Sequence, residues 1–415
     1  MAHSTVSRLL PQSAAQVLLT VVVLVIGYRV TIYIYNIFLH PLRKFPGPLT
    51  SAASNWPKIR ASTRGDGVFR VVDLHHKYGE VVRTGPNELS FSGNAAYKDI
   101  YGHKKAGQRT LVKDPKFYGN PSGEYDIVNG NDEQHARMRR VFTHAFSDKA
   151  LKRQEPLFLL YVDKLVAKFK ELSAKEPERK FNMVQMYNFT TFDIMGDLTF
   201  GESLNMLEDT DYHPWVAAML PAFRFAVYVH VIRCFPLLEL FMLKYCISKS
   251  TIETMKTHKK FCVDRVDRRL EQKDARPDIW GMVMETEGSV DAGLTKQEQY
   301  SNANLVVVVL NRWLSGREFM IAGTETTATI LSGITYYLLT NPSKMSRLIE
   351  ETRSKIRNED EIGIERLQGL PYLNAVIEEG LRMYPSISYG LARKTPPGAP
   401  TFIDGREVPA GYQPI

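Results

Sequence analysis

Ala322-Gly-Thr-Glu-Thr-Thr327 runs straight into a helical pattern, Ala328 to Leu339. Two small residues thin a helix on one side, and an acid next to a threonine, Glu325 and Thr326, offers a proton relay beside whatever fills the gap. By itself the stretch also reads as an ordinary Thr/Glu-rich helix start. Its weight comes from its neighbours in the chain. Glu378-Glu-Gly-Leu-Arg-Met-Tyr-Pro385 sets Glu379 and Arg382 three apart, on one helix face and able to pair, and Pro385 ends that helix. A lone pair at this spacing is equally a surface salt bridge. Here it is followed by Tyr389-Gly-Leu-Ala-Arg393, a cation in an apolar-flanked segment, placed to meet an anion in the core. Upstream, Asp132-Glu-Gln-His-Ala-Arg-Met-Arg-Arg-Val-Phe-Thr-His-Ala-Phe-Ser147 puts His135 and Arg139 one helical turn apart. A basic solvent face or a phosphate-contacting helix fits those residues too.

Around these motifs the chain has 415 residues, 44% of them hydrophobic, enough for one large domain or two ordinary ones with a substantial core. The net charge of +8 is spread among acids, with no arginine-rich stripe or zinc-finger spacing, which argues against nucleic acid as a partner. The excess reads as a solvated surface near anionic lipid. Three cysteines, Cys234, Cys246 and Cys262, form neither a disulfide framework nor a CxxC metal site, so no metal ligands are assigned. They read as small buried side chains in a reducing compartment.

The amino terminus carries no charge from Leu9 to Tyr28, and after Arg29 the segment Val30 to Leu39 is again apolar. About 20 apolar residues span a bilayer, and Arg29 can snorkel to the headgroups. The rival is a cleavable signal peptide, against which stand the length of the apolar region and the lack of a small-residue cleavage site. Residues 1–39 are therefore read as a membrane anchor. Residues 40–50, with His40-Pro-Leu-Arg-Lys-Phe-Pro-Gly-Pro48, are read as a stiff, basic, proline-rich hinge on the cytoplasmic side, and residues 51–415 as the main domain. Tyr78 to Phe91 alternates around Gly85-Pro86 as a small hairpin, and Glu133 to Met284 is mostly helical, broken at Pro214, Pro221, Pro236 and Pro277. The expected fold is mainly α with minor β near each end. Trp215 to Tyr245 is too interrupted by Pro221, Arg224, Arg233 and Pro236 to be a second span, and reads as short apolar helices capping a pocket. Asn188-Phe-Thr190 matches a glycosylation acceptor by chance, since it lies in a helical pattern.

In their order, the anchor, Phe45-Pro-Gly-Pro48, Ala322-Gly-Thr-Glu-Thr-Thr327, Glu379-x-x-Arg382 and Arg393 resemble the cytochrome P450 family, specifically its microsomal-type fungal members that oxidise polyketides and terpenoids. The resemblance implies an endoplasmic reticulum membrane protein, single-pass, with a cytoplasmic catalytic domain. It also implies a haem cofactor, a membrane-bound NADPH-dependent reductase as electron donor, and an apolar small-molecule substrate. Glu325 and Thr326 match the acid and alcohol that deliver protons during O–O cleavage. Ala322 and Gly323 match the helix kink over the haem. His135, Arg139 and Arg393 match positions that neutralise the haem propionates. Glu379 and Arg382 match the pair that locks the core beneath the haem, and Trp215 to Tyr245 matches the lid over the substrate channel.

Two departures qualify this. The family's haem ligand is a cysteine in a phenylalanine- and glycine-rich loop near the carboxyl terminus, and no such loop surrounds Cys234, Cys246 or Cys262. Gly405 to Ile415 resembles the middle of the family's β-hairpin, so the domain is expected to be truncated before the haem-ligand module. Ser301-Asn-Ala303 should run almost directly into the oxygen-binding helix, but Asn304 to Ile321 intervene, roughly a dozen residues in excess, enough to rotate a continuous helix by about 140°. Both features fit a translated intron. Without the thiolate, which pushes electron density through iron, the chain is expected to bind haem poorly and to be inactive. The alternative is a non-catalytic, membrane-anchored binding or partner protein.

Overall fold

The computed structural model describes residues 14–102, 110–118, 125–217, 249–272, 276–287, 293–304, 320–388 and 390–415. The chain divides into two compact units, Met1–Asp114 with Gly390–Ile415, and Pro115–Tyr389. Helices dominate, and the strands fall near the two ends of the chain, as the periodicity predicts. Much of the Trp215–Tyr245 segment expected to form a lid, most of the Asn304–Ile321 stretch expected to be an insertion, and both Cys234 and Cys246 lie outside the described residues.

The first unit opens with α1 (Ala14–Ile34), which passes into a π-helical turn, Tyr35–Leu39. Gln16–Leu39 is a 24-residue apolar helix whose best window has a mean hydropathy of 2.3, none of that window being buried in the fold. At 1.5 Å per residue that is about 36 Å, enough for a hydrocarbon core of about 30 Å. Its threonine hydroxyls are satisfied within the helix, Thr20 Oγ1 donating to Gln16 O at 2.7 Å and Thr31 Oγ1 to Gly27 O at 2.9 Å.

The expected hinge then folds back on itself. His40 caps a short 3₁₀ turn, Pro41–Lys44, its Nδ1 accepting from Leu42 N at 3.1 Å. Helices α2 (Leu49–Ala53), α3 (Trp56–Arg64) and α4 (Gly67–Tyr78) lead to the predicted hairpin, β1 (Val81–Gly85) against β2 (Glu88–Phe91). Helix α5 (Asn94–Tyr101) follows, then β3 (Val112–Lys113). The carboxyl-terminal stretch returns β4 (Arg393–Lys394) antiparallel to β3 and closes β5 (Thr401–Ile403) on β6 (Arg406–Val408). The left-handed pair Asp404 and Gly405 makes that turn. Finally β7 (Gln413–Pro414) runs parallel to β2. Leu42, Phe45, Val81, Leu89, Ile403 and Val408 form the core of this unit.

Arg83 holds these pieces together. Its guanidinium is 2% exposed and donates to Asn36 O at 2.9 Å and Pro86 O at 2.8 Å, while its backbone N–H donates to Pro46 O at 2.7 Å. One buried side chain thus ties the end of the apolar helix, the hinge and the hairpin turn. Burial lowers its pKa by stripping water from the charged guanidinium. Gly47 sits so close that a Cβ would lie 2.5 Å from Arg83 O.

The second unit is helical. A capping box between Asn131 and Gln134 starts α6 (Asp132–Ala145), and Ser147 caps α7 (Asp148–Lys175), which runs through Pro156. Helix α8 (Met183–Phe200) ends at left-handed Gly201, with α9 (Met206–Asp209) just beyond. Among the described residues there follow α10 (Lys249–Glu271), α11 (Ile279–Glu287), α12 (Lys296–Asn304), α13 (Met320–Thr340), α14 (Pro342–Lys355), α15 (Ile364–Gln368) and α16 (Pro371–Met383). Helix α16 stops before Pro385 as predicted. Asn188 and Thr190 are buried inside α8, so the glycosylation-like triplet is out of reach of a transferase.

Inside this unit the sequence conceals a charged network. Arg269 and Asp278 are both wholly buried and pair through Arg269 Nε at 2.5 Å and Nη2 at 3.2 Å. Asp278 also accepts from Gly281 N at 2.7 Å, capping α11, and Arg276 bridges to Asp197, which accepts from Tyr161 Oη at 2.9 Å. Removing one partner of such a pair leaves an uncompensated buried charge. Asp278→Ala is expected to lower unfolding free energy by about 3–5 kcal/mol in a urea titration of the full chain, and an unchanged midpoint would show that the pair contributes nothing.

Candidate active site

Helix α13 carries Ala322-Gly-Thr-Glu-Thr-Thr327 in its first turns and packs along α8. The contact is close because Gly323 has no side chain: a Cβ there would lie 2.7 Å from Met195 Sδ. The gap on the thinned side of the helix is therefore filled by a methionine of α8. Thr324 is wholly buried, Thr326 half-buried, and Thr327 exposed. At 100° per residue Glu325 lies about 200° around the helix from Gly323, so the acid does not point into the gap the glycine leaves.

Glu325 is half-buried, and desolvation raises its carboxyl pKa. Its charge is felt by Tyr212, whose phenol is pushed upward first by burial and then by Glu325, while the Asn188 side chain pulls it down by hydrogen bonding. Tyr212 in turn packs edge-on to Phe189, ring centroids 5.0 Å apart. An acid held towards its protonated form next to a hydroxyl-bearing turn can store and release a proton.

The second motif also forms. Arg382 grips Glu379 with two hydrogen bonds of 2.6 Å, the fork geometry expected of guanidinium and carboxylate. Both side chains are exposed, 67% and 58%. Between them Gly380 faces the other way, buried against α13, where a Cβ would lie 2.3 Å from Ile334 Cγ1. Gly333 of α13 makes room for the ring of Tyr384, where a Cβ would lie 2.7 Å from Tyr384 Cδ1. The Glu-Gly-x-Arg spacing thus does two jobs, pairing charges outward and admitting a helix inward.

The propionate candidates fall in different units. His135 is half-buried and Arg139 exposed, both on α6 and one turn apart as predicted. Arg393 belongs to the first unit, on β4, with its guanidinium 5.7 Å from the Tyr101 ring centroid. Tyr101 donates from Oη to Leu391 O at 2.8 Å, and burial raises its pKa while Arg393 opposes the shift. Tyr101 was not legible as a partner, since Tyr101 and Arg393 are far apart in sequence. Ala322 lies on α13 with the rest of its motif.

Among the described residues no cluster of three His, Cys, Asp or Glu side chains is placed to hold a metal ion. Cys262 is 1% exposed on α10, packed with Val266 and Trp280 in the core of its unit, and burial raises its thiol well above the ordinary pKa. Such a sulfur is a protonated core side chain, which does not fit the role of a thiolate ligand.

A mainly helical chain with a leading apolar helix, small terminal sheets and these motifs in this order belongs to the cytochrome P450 family, whose sequence profile matches residues 46–415. Three of its relatives are fungal proteins. Cytochrome P450 monooxygenase efuB of Hormonema carpetanum is 42% identical over 384 residues, 92% of this chain and 73% of that protein. Cytochrome P450 monooxygenase FUM2 of Gibberella moniliformis is 41% identical, covering 87% and 74% of the two chains. Cytochrome P450 monooxygenase lcsI of Purpureocillium lilacinum is 36% identical, covering 91% and 71%.

The raised pKa of Glu325 has a thermodynamic signature. A carboxyl whose folded pKa exceeds its unfolded value stabilises the fold at low pH, and that contribution is lost as pH rises through the folded pKa. Glu325→Gln should therefore be more stable than the parent at neutral pH, with the difference closing towards about pH 4, where both side chains are neutral. Equal denaturation midpoints at both pH values would show that the carboxyl is not desolvated.

Proposed function

We propose that this sequence specifies a fungal secondary-metabolite monooxygenase of the cytochrome P450 family, acting on an apolar polyketide or terpenoid, and that the 415-residue polypeptide is itself inactive. The relatives, all named as cytochrome P450 monooxygenases of fungi, support the first part. The single observation that carries the second is Cys262, a fully buried and protonated thiol in the helical core. Haem, when bound through a thiolate, supplies the activation of O2 in this family. Glu325 and Thr326 are the residues proposed to hold and pass protons, with Ala322 and Gly323 shaping α13 beside them. His135, Arg139 and Arg393 are proposed to meet the propionates, and Glu379 with Arg382 to brace the core.

The apolar helix is proposed as a single-pass anchor in the endoplasmic reticulum membrane. Its length and hydropathy support that reading, and Arg43 and Lys44 directly after it favour a cytoplasmic catalytic domain. A membrane-bound NADPH-dependent reductase is the proposed electron donor.

The test is spectroscopic. The full 415-residue chain, supplied with haem, reduced and exposed to carbon monoxide, is expected to show no thiolate-type Soret band. A thiolate-type band would make Cys234 or Cys246 a ligand and would overturn the claim of inactivity.

A further inference from the structure

His40 stands where the apolar helix gives way to folded chain, and it is 4% exposed. Both nitrogens of its ring are engaged. Leu42 N donates to Nδ1 at 3.1 Å, and a backbone N–H can only donate, so Nδ1 must keep its lone pair. The ring proton therefore sits on Nε2, which donates to Asn87 Oδ1 at 3.0 Å. Through these two bonds one neutral ring caps the Pro41–Lys44 turn and ties it to the hairpin turn, where Asn87 O also accepts from Gln413 N of β7 at 3.0 Å. Tyr35 and Tyr412 close on the ring edge-on, centroids 5.8 and 5.2 Å away.

Adding a proton undoes this arrangement. An imidazolium has two donors and no acceptor, so its Nδ1–H would face the Leu42 N–H and both donors would lose their bond. The groups facing the ring do not favour a cation. Arg83 on β1 is itself positive, and Arg43 and Lys44 add two more positive charges on the capped turn. Tyr35 and Tyr412 are phenols, which carry no negative charge in acid. Glu88, next after Asn87, is already held by Lys58 and by Thr84 Oγ1, which donates to it at 2.8 Å. Burial first, then the charge of Arg83, holds the ring below its ordinary pKa, while the bond to Asn87 opposes the shift.

We propose that His40 is an acid-sensitive latch at the joint between the apolar helix and the folded unit: the neutral ring fastens the Pro41–Lys44 turn to the hairpin, and the imidazolium releases it. The device needs neither haem nor substrate, so it stands apart from the monooxygenase reading. A histidine whose pKa is lower in the closed than in the open form contributes its full stabilisation above the ordinary value of 6.5, and that contribution falls away as pH drops from there towards the closed-form pKa. Acidification thus loosens the joint while the rest of the unit, held by Arg83 and its apolar core, stays folded.

The experiment follows papain cleavage between Leu39 and Pro48 by mass spectrometry in the full chain, held in detergent micelles, with rates normalised to a free peptide of the same sequence. Between about pH 7.5 and about pH 5.5 the normalised rate is expected to rise by up to about tenfold, the ceiling for a ring that is unprotonated when latched and of ordinary pKa once released. His40→Gln, which cannot take up the proton, is expected to show no such rise. Asn87→Asp places a carboxylate opposite Nε2 and is expected to shrink the rise, because the latched imidazolium then has a counter-charge. A parent rate that is flat with pH, or a full acid rise retained in either variant, would overturn the latch. So would an acid rise accompanied by loss of circular dichroism, since that is unfolding of the whole chain and not release of one joint.

Discussion

The absence of a side chain at three glycines governs the architecture around α13. Gly323 lets Met195 of α8 lie against the helix, Gly333 takes the Tyr384 ring, and Gly380 lets α16 close on Ile334. Interiors pack at crystal-like density, so a Cβ at any of these points would have to displace a neighbouring helix or side chain. The candidate acid, the candidate hydroxyl and the Glu379–Arg382 pair all take their positions from these approaches. Glycine is used here for space, at a cost in helix propensity of about 1 kcal/mol each that tertiary contacts must offset.

Buried charge does comparable work elsewhere in the helical unit. Arg269, Arg276, Asp278, Asp197 and Tyr161 join α7, α8, α10 and the start of α11 through groups that cannot be separated cheaply. Asp193 does the same locally, accepting from Met206 N and Leu207 N at 3.0 and 2.8 Å and so fixing α9 on α8, although burial raises its pKa. Such pairs add little net stability compared with apolar packing, but they make wrong arrangements expensive. In the other unit the Arg83 guanidinium donates to the backbone carbonyls of Asn36 and Pro86.

His40 shows how closely the hinge is integrated. It caps the 3₁₀ turn through Nδ1, meets Asn87 Oδ1 at 3.0 Å through Nε2, and packs edge-on to Tyr35 and Tyr412. Burial and the nearby Arg83 lower its pKa, which keeps the ring neutral and able to accept from Leu42 N. A segment that reads in sequence as a proline-stiffened linker is therefore part of the folded core, with Leu42 and Phe45 buried in it.

Local rules were enough to find the apolar helix, the hairpin around Gly85-Pro86, the end of α16 before Pro385, and the spacing that pairs Glu379 with Arg382. Each depends on contacts within a few residues, where periodicity, turn chemistry and proline geometry act directly. The ordered motifs also carried the family. Sequence did not reveal that Met195 fills the space beside Gly323, that Tyr101 lies under Arg393, or that Arg269 and Asp278 are wholly buried. Those facts join segments whose separation along the chain carries no periodic signal. They are set by which helices and strands meet, and hydrophobic closure of each unit decides that only when the chain folds.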